Sequence, residues 1–297
     1  MDKVVLNNGF TIPTFGGGTF PFNEELLDTI PQMKSAGYTM IDTSDNYNNE
    51  QYIGEAFSQM SKEELESLIV ITKYSDPTKP VREAFLESSK RIYGKSCLPN
   101  KTADIYLIHW PYPHLWKERW HEMEELHEEG LCKAIGVCNF TNNFLYEMLD
   151  ICKIVPAINQ FECHPMFQQR NTINICEKNK IAIMSYSPLA RMNKNLFEND
   201  TLRQIAYRHN INISQVIINW NIMEGRIPIP ASKNDKHIIE NIMAVKLSLS
   251  KEEIEAINTL ECGMRIRFNP ETRFSEEQIS MFLKYKQEMS YRRMVKK

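Results

Sequence analysis

Eight short apolar segments alternate with stretches of helical periodicity along most of this chain. The strand-like segments are 16–19, 39–42, 69–72, 105–109, 134–138, 157–160, 182–186 and 227–230. Most of them are apolar or β-branched on both faces, as parallel strands buried on both sides require. Helical patterns fill the gaps at 23–37, 49–60, 81–93, 116–129, 143–150, 168–179, 201–209, 214–222 and 237–244. Asn23 can cap the first of these, and Pro31 should kink or break it. Alternation of this kind predicts an α/β fold, a TIM (β/α)8 barrel, with a doubly wound open sheet as its competitor. A length of 297 residues suits one barrel with additions at either end. The expected organisation is a single domain over 1–297: an N-terminal β-hairpin at 1–15, the barrel at 16–260 and a C-terminal tail at 261–297.

The hairpin is expected from Asn7-Asn8-Gly9 between two apolar runs, because Asn-Gly suits a type I′ turn. Gly16-Gly17-Gly18 follows and permits close approach to the backbone. It is not a GxGxxG motif, so a Rossmann fingerprint is absent. The tail holds Arg265, Arg267 and Phe268, a helix-like run at 275–289 and a basic end at 292–297. It is expected to be packed or partly disordered.

A formal charge of −3 supplies no general attraction to nucleic acid or anionic membrane. No apolar run reaches membrane-spanning length, and the N-terminus carries no targeting signal. Seven cysteines without a CxxC pair argue against a disulfide framework or a thiolate zinc site. The expectation is a cytoplasmic protein without a metal, despite the adjacent Cys163 and His164.

In such barrels chemistry gathers at the C-terminal strand ends. Those ends present Asp42, Lys73, His109 with Trp110, Cys138-Asn139, Gln160, and Tyr186 with Ser187. Tyr47 follows Asp42 on a loop short enough to fold its phenol back. Singly, each residue also fits a structural role: a turn residue, a solvated lysine, a satisfied histidine. Their joint occurrence points to chemistry. A tyrosine, with a reference pKa near 10, is a sluggish acid at neutral pH. A lysine beside it should pull that value down, and an aspartate would keep the lysine charged. A histidine could then orient a substrate oxygen. Such a set protonates an oxygen that gains negative charge, as carbonyl reduction demands; the hydride must come from a cofactor.

These blocks resemble the aldo-keto reductase family. LNNGFTIPTFGGGTF, GYTMIDTSDNYNNEQYIGEA, ITKY, LIHWP, KAIGVCNF, INQFECHP, SYSPLA and IPASKNDKHIIEN occur in that family's order. The resemblance implies a barrel that binds an extended nicotinamide cofactor. It implies Tyr47 as proton donor, Lys73 and Asp42 as its tuning pair, and His109 as the carbonyl-orienting group. Asn139 and Gln160 would hold the carboxamide and Tyr186 would stack on the nicotinamide. Gly18, Thr19, Asp42, Ser187 and Leu189 would border the cofactor, and Glu240 and Asn241 would reach the adenine. Phe20 and Trp110, with Tyr47 and His109, would wall the substrate pocket.

Two departures bear on function. Cys138 stands where the family often has serine. Ala231 and His237 replace a lysine and an arginine that favour a 2′-phosphate. Ser232, Lys233 and Lys236 could supply part of that charge, so NADP(H) is expected, with NAD(H) as the alternative. The expected activity is reduction of an aldehyde or ketone, with a small carbonyl or alcohol as the only partner and a monomer or weak homo-oligomer as the assembly. Two alternatives are a cofactor-sensing subunit of the same fold, and a barrel enzyme using Lys73 as a Schiff base. A lysine kept charged by Asp42 disfavours the last.

Overall fold

The computed structural model describes residues 2–295, with side chains over 2–288. The basic end predicted at 292–297 therefore lies outside the described side chains. Strands β1 (Lys3–Val5) and β2 (Thr11–Pro13) form the antiparallel N-terminal hairpin. Its turn differs from the expected type I′. Gly9 alone has a positive φ, of 86°, and Leu6 N–H donates to the Phe10 carbonyl across three loop residues. One left-handed glycine after an ordinary turn matches the strand twist without placing Asn8 in that region. Leu6 and Ile12 from the hairpin plug one end of the inner core.

Eight parallel strands follow in chain order: β3 (Gly17–Gly18), β4 (Met40–Asp42), β5 (Ile69–Tyr74), β6 (Ile105–Ile108), β7 (Ala134–Cys138), β8 (Ile158–Glu162), β9 (Ala182–Tyr186) and β10 (Arg226–Pro228). Each pairs with its neighbour in sequence. Gly16 N–H donates to the Pro228 carbonyl at 3.2 Å and Gly18 N–H to the Pro230 carbonyl at 3.0 Å. The sheet thus curls until its two edges meet, which excludes the open doubly wound alternative.

Helices cover the outside: α1 (Leu26–Ala36), α2 (Glu50–Phe57), α3 (Lys62–Glu66), α4 (Val81–Tyr93), α5 (Trp116–Glu128), α6 (Asn142–Ile151) and α7 (Arg170–Lys178). Then come α8 (Lys194–Phe197), α9 (Asp200–His209), α10 (Ile213–Met223), α11 (Asp235–Met243), α12 (Lys251–Asn258) and α13 (Glu276–Val295). The expected break at Pro31 does not occur. Leu26, Ile30 and Met33 anchor α1 in the core, while Pro31 lies on the exposed face, where water can serve the carbonyl it leaves without a donor. None of the described helices is long and apolar enough to cross a membrane.

Two cores result. Met40, Ile71, Ile105, Leu107, Ile158, Met184 and Ile227 fill the barrel interior, and a larger cluster lies between strands and helices. Gly54 marks the tightest helix contact. A Cβ there would collide with the Arg91 carbonyl oxygen, so only glycine lets α2 approach α4. Gly54→Ala is therefore expected to destabilise the fold by about 1–3 kcal/mol. Urea denaturation measures this; a midpoint equal to the parent's would show that the two helices part without cost.

Candidate active site

The period-two pattern of the strands carries one polar side chain after another to the same end of the barrel. Asp42 lies two residues beyond inner-core Met40, Lys73 beyond Ile71, His109 beyond Leu107, Gln160 beyond Ile158 and Tyr186 beyond Met184. An apolar residue at position i fills the barrel, and the residue at i+2 stands above it facing the same axis. Asn139 breaks this rule. The alternation aims Cys138 inward, and Asn139 reaches the site through a left-handed backbone with φ 66°. Asparagine tolerates that region better than most residues.

The central pair is buried: Lys73 is 0 % and Asp42 3 % exposed. Lys73 Nζ donates to Asp42 Oδ1 at 2.6 Å, to the Thr43 carbonyl at 2.8 Å and to the Tyr47 hydroxyl oxygen at 3.2 Å. An ammonium has three N–H bonds, and all three are directed here. The other Asp42 oxygen accepts from Gln160 Nε2 at 2.7 Å. Burial alone would push the Lys73 ammonium down, but Asp42 foremost, with Tyr47, turns the net shift upward. Lys73 is consequently a charged donor, unsuited to attack a carbonyl as a free amine.

Tyr47 corrects one expectation. Its phenol is pushed up to about 12, because burial outweighs the opposing Lys73 charge. Lysine does pull the value down, but desolvation of a phenolate costs more. The phenol therefore stays protonated at neutral pH. Its oxygen already accepts from Lys73, which leaves its own proton free to point into the cavity.

His109 Nδ1 lies 2.8 Å from Ser75 Oγ and 3.1 Å from Ser44 Oγ. Burial, then the charges of Lys73, Arg267 and Arg273, hold the ring well below the ordinary histidine range. It is neutral, with Nε2 lacking a hydrogen-bond partner among the described residues. Phe20, Tyr47, His109 and Trp110 form one aromatic run, with successive ring centroids 5.0, 5.7 and 6.0 Å apart.

These residues line a cavity of about 350 Å³ together with Gly18, Asn139, Gln160, Tyr186, Ser187 and Leu189. Asn139 Nδ2 donates to the His109 carbonyl at 2.9 Å, and the Tyr186 hydroxyl donates to Asn139 Oδ1 at 2.6 Å. The loop after Tyr186 is bent sharply: Ser187, Ala190, Arg191 and Met192 all have positive φ. Backbone strain of this kind gathers at ligand clamps. Leu189, Met192 and Ala231 also line a second cavity of about 720 Å³, so the two form one groove. Its far end holds Arg203, Ser232, Lys236, His237, Glu240 and Asn241.

Two expected cofactor residues lie elsewhere. Thr19 is fully buried and spends its hydroxyl on the Asp42 carbonyl at 3.0 Å, so it braces the end of β4 instead of lining the groove. Lys233 lies outside both cavities and pairs with Glu25 at 2.9 Å. That exposed pair holds the Glu25 carboxyl at about 2, through the hydrogen bond from Lys233. Cys138, singled out in the sequence, faces the interior with Sγ 3.7 Å from Gln160 Oε1, and burial pushes its thiol up, so it is not a thiolate. Four residues not assigned to the site from the sequence, Arg191, Arg267, Phe268 and Arg273, also line the first cavity. The only available signal for the last three was the density of arginine and phenylalanine in the tail.

The sequence model of the Aldo/keto reductase family matches residues 13–261. A methylglyoxal reductase of Escherichia coli (strain K12) is 35% identical over 271 residues, covering 90% of this chain and 96% of its own length. The crystal structure of an aldo-keto reductase from a Medee basin deep-sea metagenome library superposes with a TM-score of 0.83. It is 32% identical and covers 90% of this chain and 97% of that one. A Bombyx mori aldo-keto reductase in complex with NADP gives a TM-score of 0.82 at 26% identity, covering 92% of this chain and 96% of that chain.

Proposed function

This chain belongs to the aldo/keto reductase family, and we propose that it reduces a small aldehyde or ketone to the alcohol with NADPH, Tyr47 being the proton donor. The single observation that carries the reading is the Lys73 ammonium bridging Asp42 and the Tyr47 oxygen at the floor of an aromatic cavity. Relatives named methylglyoxal reductase support a small dicarbonyl or aldehyde as substrate.

The residues present fit a dinucleotide. The groove runs from Tyr186 past Leu189 to Asn241, and the α11 N-terminus opens onto its far end. Tyr186 would stack on the nicotinamide, Asn139 and Gln160 would meet its carboxamide, and Gly18, Ser187 and Leu189 would border the pyrophosphate. Glu240 and Asn241 would lie at the adenine. A bound nicotinamide supplies the hydride that becomes bonded to the carbonyl carbon.

The protein's own part is to hold and protonate the carbonyl oxygen. Neutral His109, its Nδ1 accepting from Ser75, would donate from Nε2 to that oxygen. Tyr47 would give it a proton as negative charge develops, and solvent would restore the phenol afterwards. Lys73 stabilises the phenolate left behind, and Asp42 keeps Lys73 in place. Phe20 and Trp110 exclude water from the aromatic wall.

For the 2′-phosphate, Ser232, Lys236, His237 and Arg203 all line the groove. That cluster favours NADPH over NADH despite Ala231. The test is fluorescence titration of the purified protein with both cofactors, then a carbonyl panel followed at the nicotinamide absorbance. NADPH is expected to bind at least tenfold more tightly, because a charge-assisted phosphate contact contributes roughly 1.5–3 kcal/mol. Equal affinities would remove the 2′-phosphate site, and cofactor binding without turnover of any carbonyl would remove the reductase reading.

A further inference from the structure

The catalytic cavity carries three arginines that proton donation does not use. Arg191 comes from the bent loop after β9, and Arg267 and Arg273 come from the segment between α12 and α13. The Arg191 and Arg267 guanidinium carbons lie 5.7 and 5.6 Å from the Phe20 ring centroid. Arg273 lies 5.5 Å from the Trp110 ring and 4.6 Å from Phe268. All three therefore sit on the aromatic wall that brackets Tyr47 and His109.

None of them has an ion-pair partner among the described residues. Arginine ion pairs among the described residues involve Arg82, Arg91, Arg119, Arg208 and Arg226 instead. Asp42 is the one acid among the residues lining the cavity, and Lys73 already holds it. Nearby Glu162 is committed as well: it accepts from the Ile266 and Arg267 backbone N–H groups at 2.6 and 2.9 Å and lies 3.2 Å from His164 Nε2. Through those bonds Glu162 anchors the arginine-bearing segment over the barrel mouth. Arg273 Nε is buried with no hydrogen-bond partner. A buried unpaired N–H on a cation is costly unless something arrives to accept from it.

Three cations without ion-pair partners around a concave site repel one another: Arg267 acts against Arg191, and the charges of Arg267 and Arg273 are felt at His109. A neutral aldehyde would leave that repulsion standing. An anion would relieve it, and guanidinium groups match the planar geometry of oxyanions. We infer that the carbonyl substrate carries an oxyanion group, a carboxylate or a phosphate ester, gripped by Arg267 and Arg273 with Arg191 at the mouth. The cavity of about 350 Å³ must also admit the nicotinamide end of the cofactor, so this substrate has only a few carbons. The inference rests on the carbonyl-reductase reading above and names its substrate class.

The experiment compares matched aldehydes on the full chain with saturating NADPH. 4-Oxobutanoate is set against butanal, and glyceraldehyde 3-phosphate against glyceraldehyde. The anionic member of at least one pair is expected to show at least tenfold higher kcat/KM. A gain confined to the first pair assigns a carboxylate, and one confined to the second a phosphate. In R267Q and R273Q the anionic-to-neutral ratio should fall about tenfold, through KM, and R267K and R273K should restore much of it. Circular dichroism verifies that each variant is folded. Reduction of butanal and glyceraldehyde with no anionic advantage overturns the substrate class and leaves the reductase standing. A change in NADPH dissociation constant with an unchanged ratio also overturns it, placing these arginines on the cofactor. Failure to reduce any of the four overturns both readings.

Discussion

Tyr47→Phe is expected to lower kcat for carbonyl reduction by about 10²–10⁴-fold, the range that one positioned general acid contributes. The substitution is close to a pure deletion of the proposed donor. Phenylalanine keeps the ring against Phe20, at 5.0 Å, and beneath the Lys73 ammonium, 4.9 Å from the ring centroid. It removes the hydroxyl that accepts the third Lys73 N–H bond. NADPH affinity should change little, because the groove beyond Leu189 is untouched. Single-turnover absorbance and a fluorescence titration separate the two effects, and a variant keeping more than a tenth of the parent rate would rule out Tyr47 as donor. The pH profile of the parent is a companion readout. With the phenol at about 12 and His109 held neutral, no group of the pair titrates near neutrality. Because the donor works protonated, kcat/KM for reduction should be flat from about pH 6 to 9 and decline only beyond. An inflection near pH 7 would mean that the histidine gains a proton.

Lys73→Met should be the most damaging change to both activity and stability. Lys73 and Asp42 are buried together at 2.6 Å. Removing the cation strands a carboxylate that retains only the Gln160 amide as side-chain donor. Breaking a buried pair from one side costs roughly 3–5 kcal/mol, whereas removing both charges costs much less. The double variant D42N/K73M should therefore regain stability over K73M while remaining inactive. Equal denaturation midpoints for single and double variants would show that the pair is not the source of the loss. The sign with pH follows from the upward shift of Lys73. Its contribution is fully present below the unfolded lysine's ordinary pKa and disappears only as strongly alkaline pH approaches the folded value. Neutral and mildly acidic measurements should give the same difference between K73M and parent.

Much of the candidate site was legible because strands repeat every two residues. Met40 and Asp42, Ile71 and Lys73, Leu107 and His109, Ile158 and Gln160 are each an interior residue followed by the polar residue above it. An apolar run ending in such a residue can be read without coordinates, and the alternation of the runs predicts a barrel, while the open sheet is excluded only by the Gly16 and Gly18 bonds that close it. Where a side chain points once it leaves this register is not given by spacing. Asn139 enters through a positive φ, and Cys138 takes the inward position beside it. Thr19 is drawn to the Asp42 carbonyl and Lys233 to Glu25, each by a loop contact with no signature in spacing.

Sequence by itself determined the alternating elements and which polar residues cap the interior, because local periodicity and hydrophobic burial are properties of neighbouring positions. Tertiary structure alone decided two things. Burial raised the Tyr47 phenol against the pull of Lys73, a balance set by everything packed around the ring. Glu162, through backbone bonds to Ile266 and Arg267 over more than a hundred residues of chain, brought Arg267 and Arg273 to the cavity, where Arg191 meets them from the loop after β9. Desolvation and long-range closure depend on the whole fold, so no window of residues contains them.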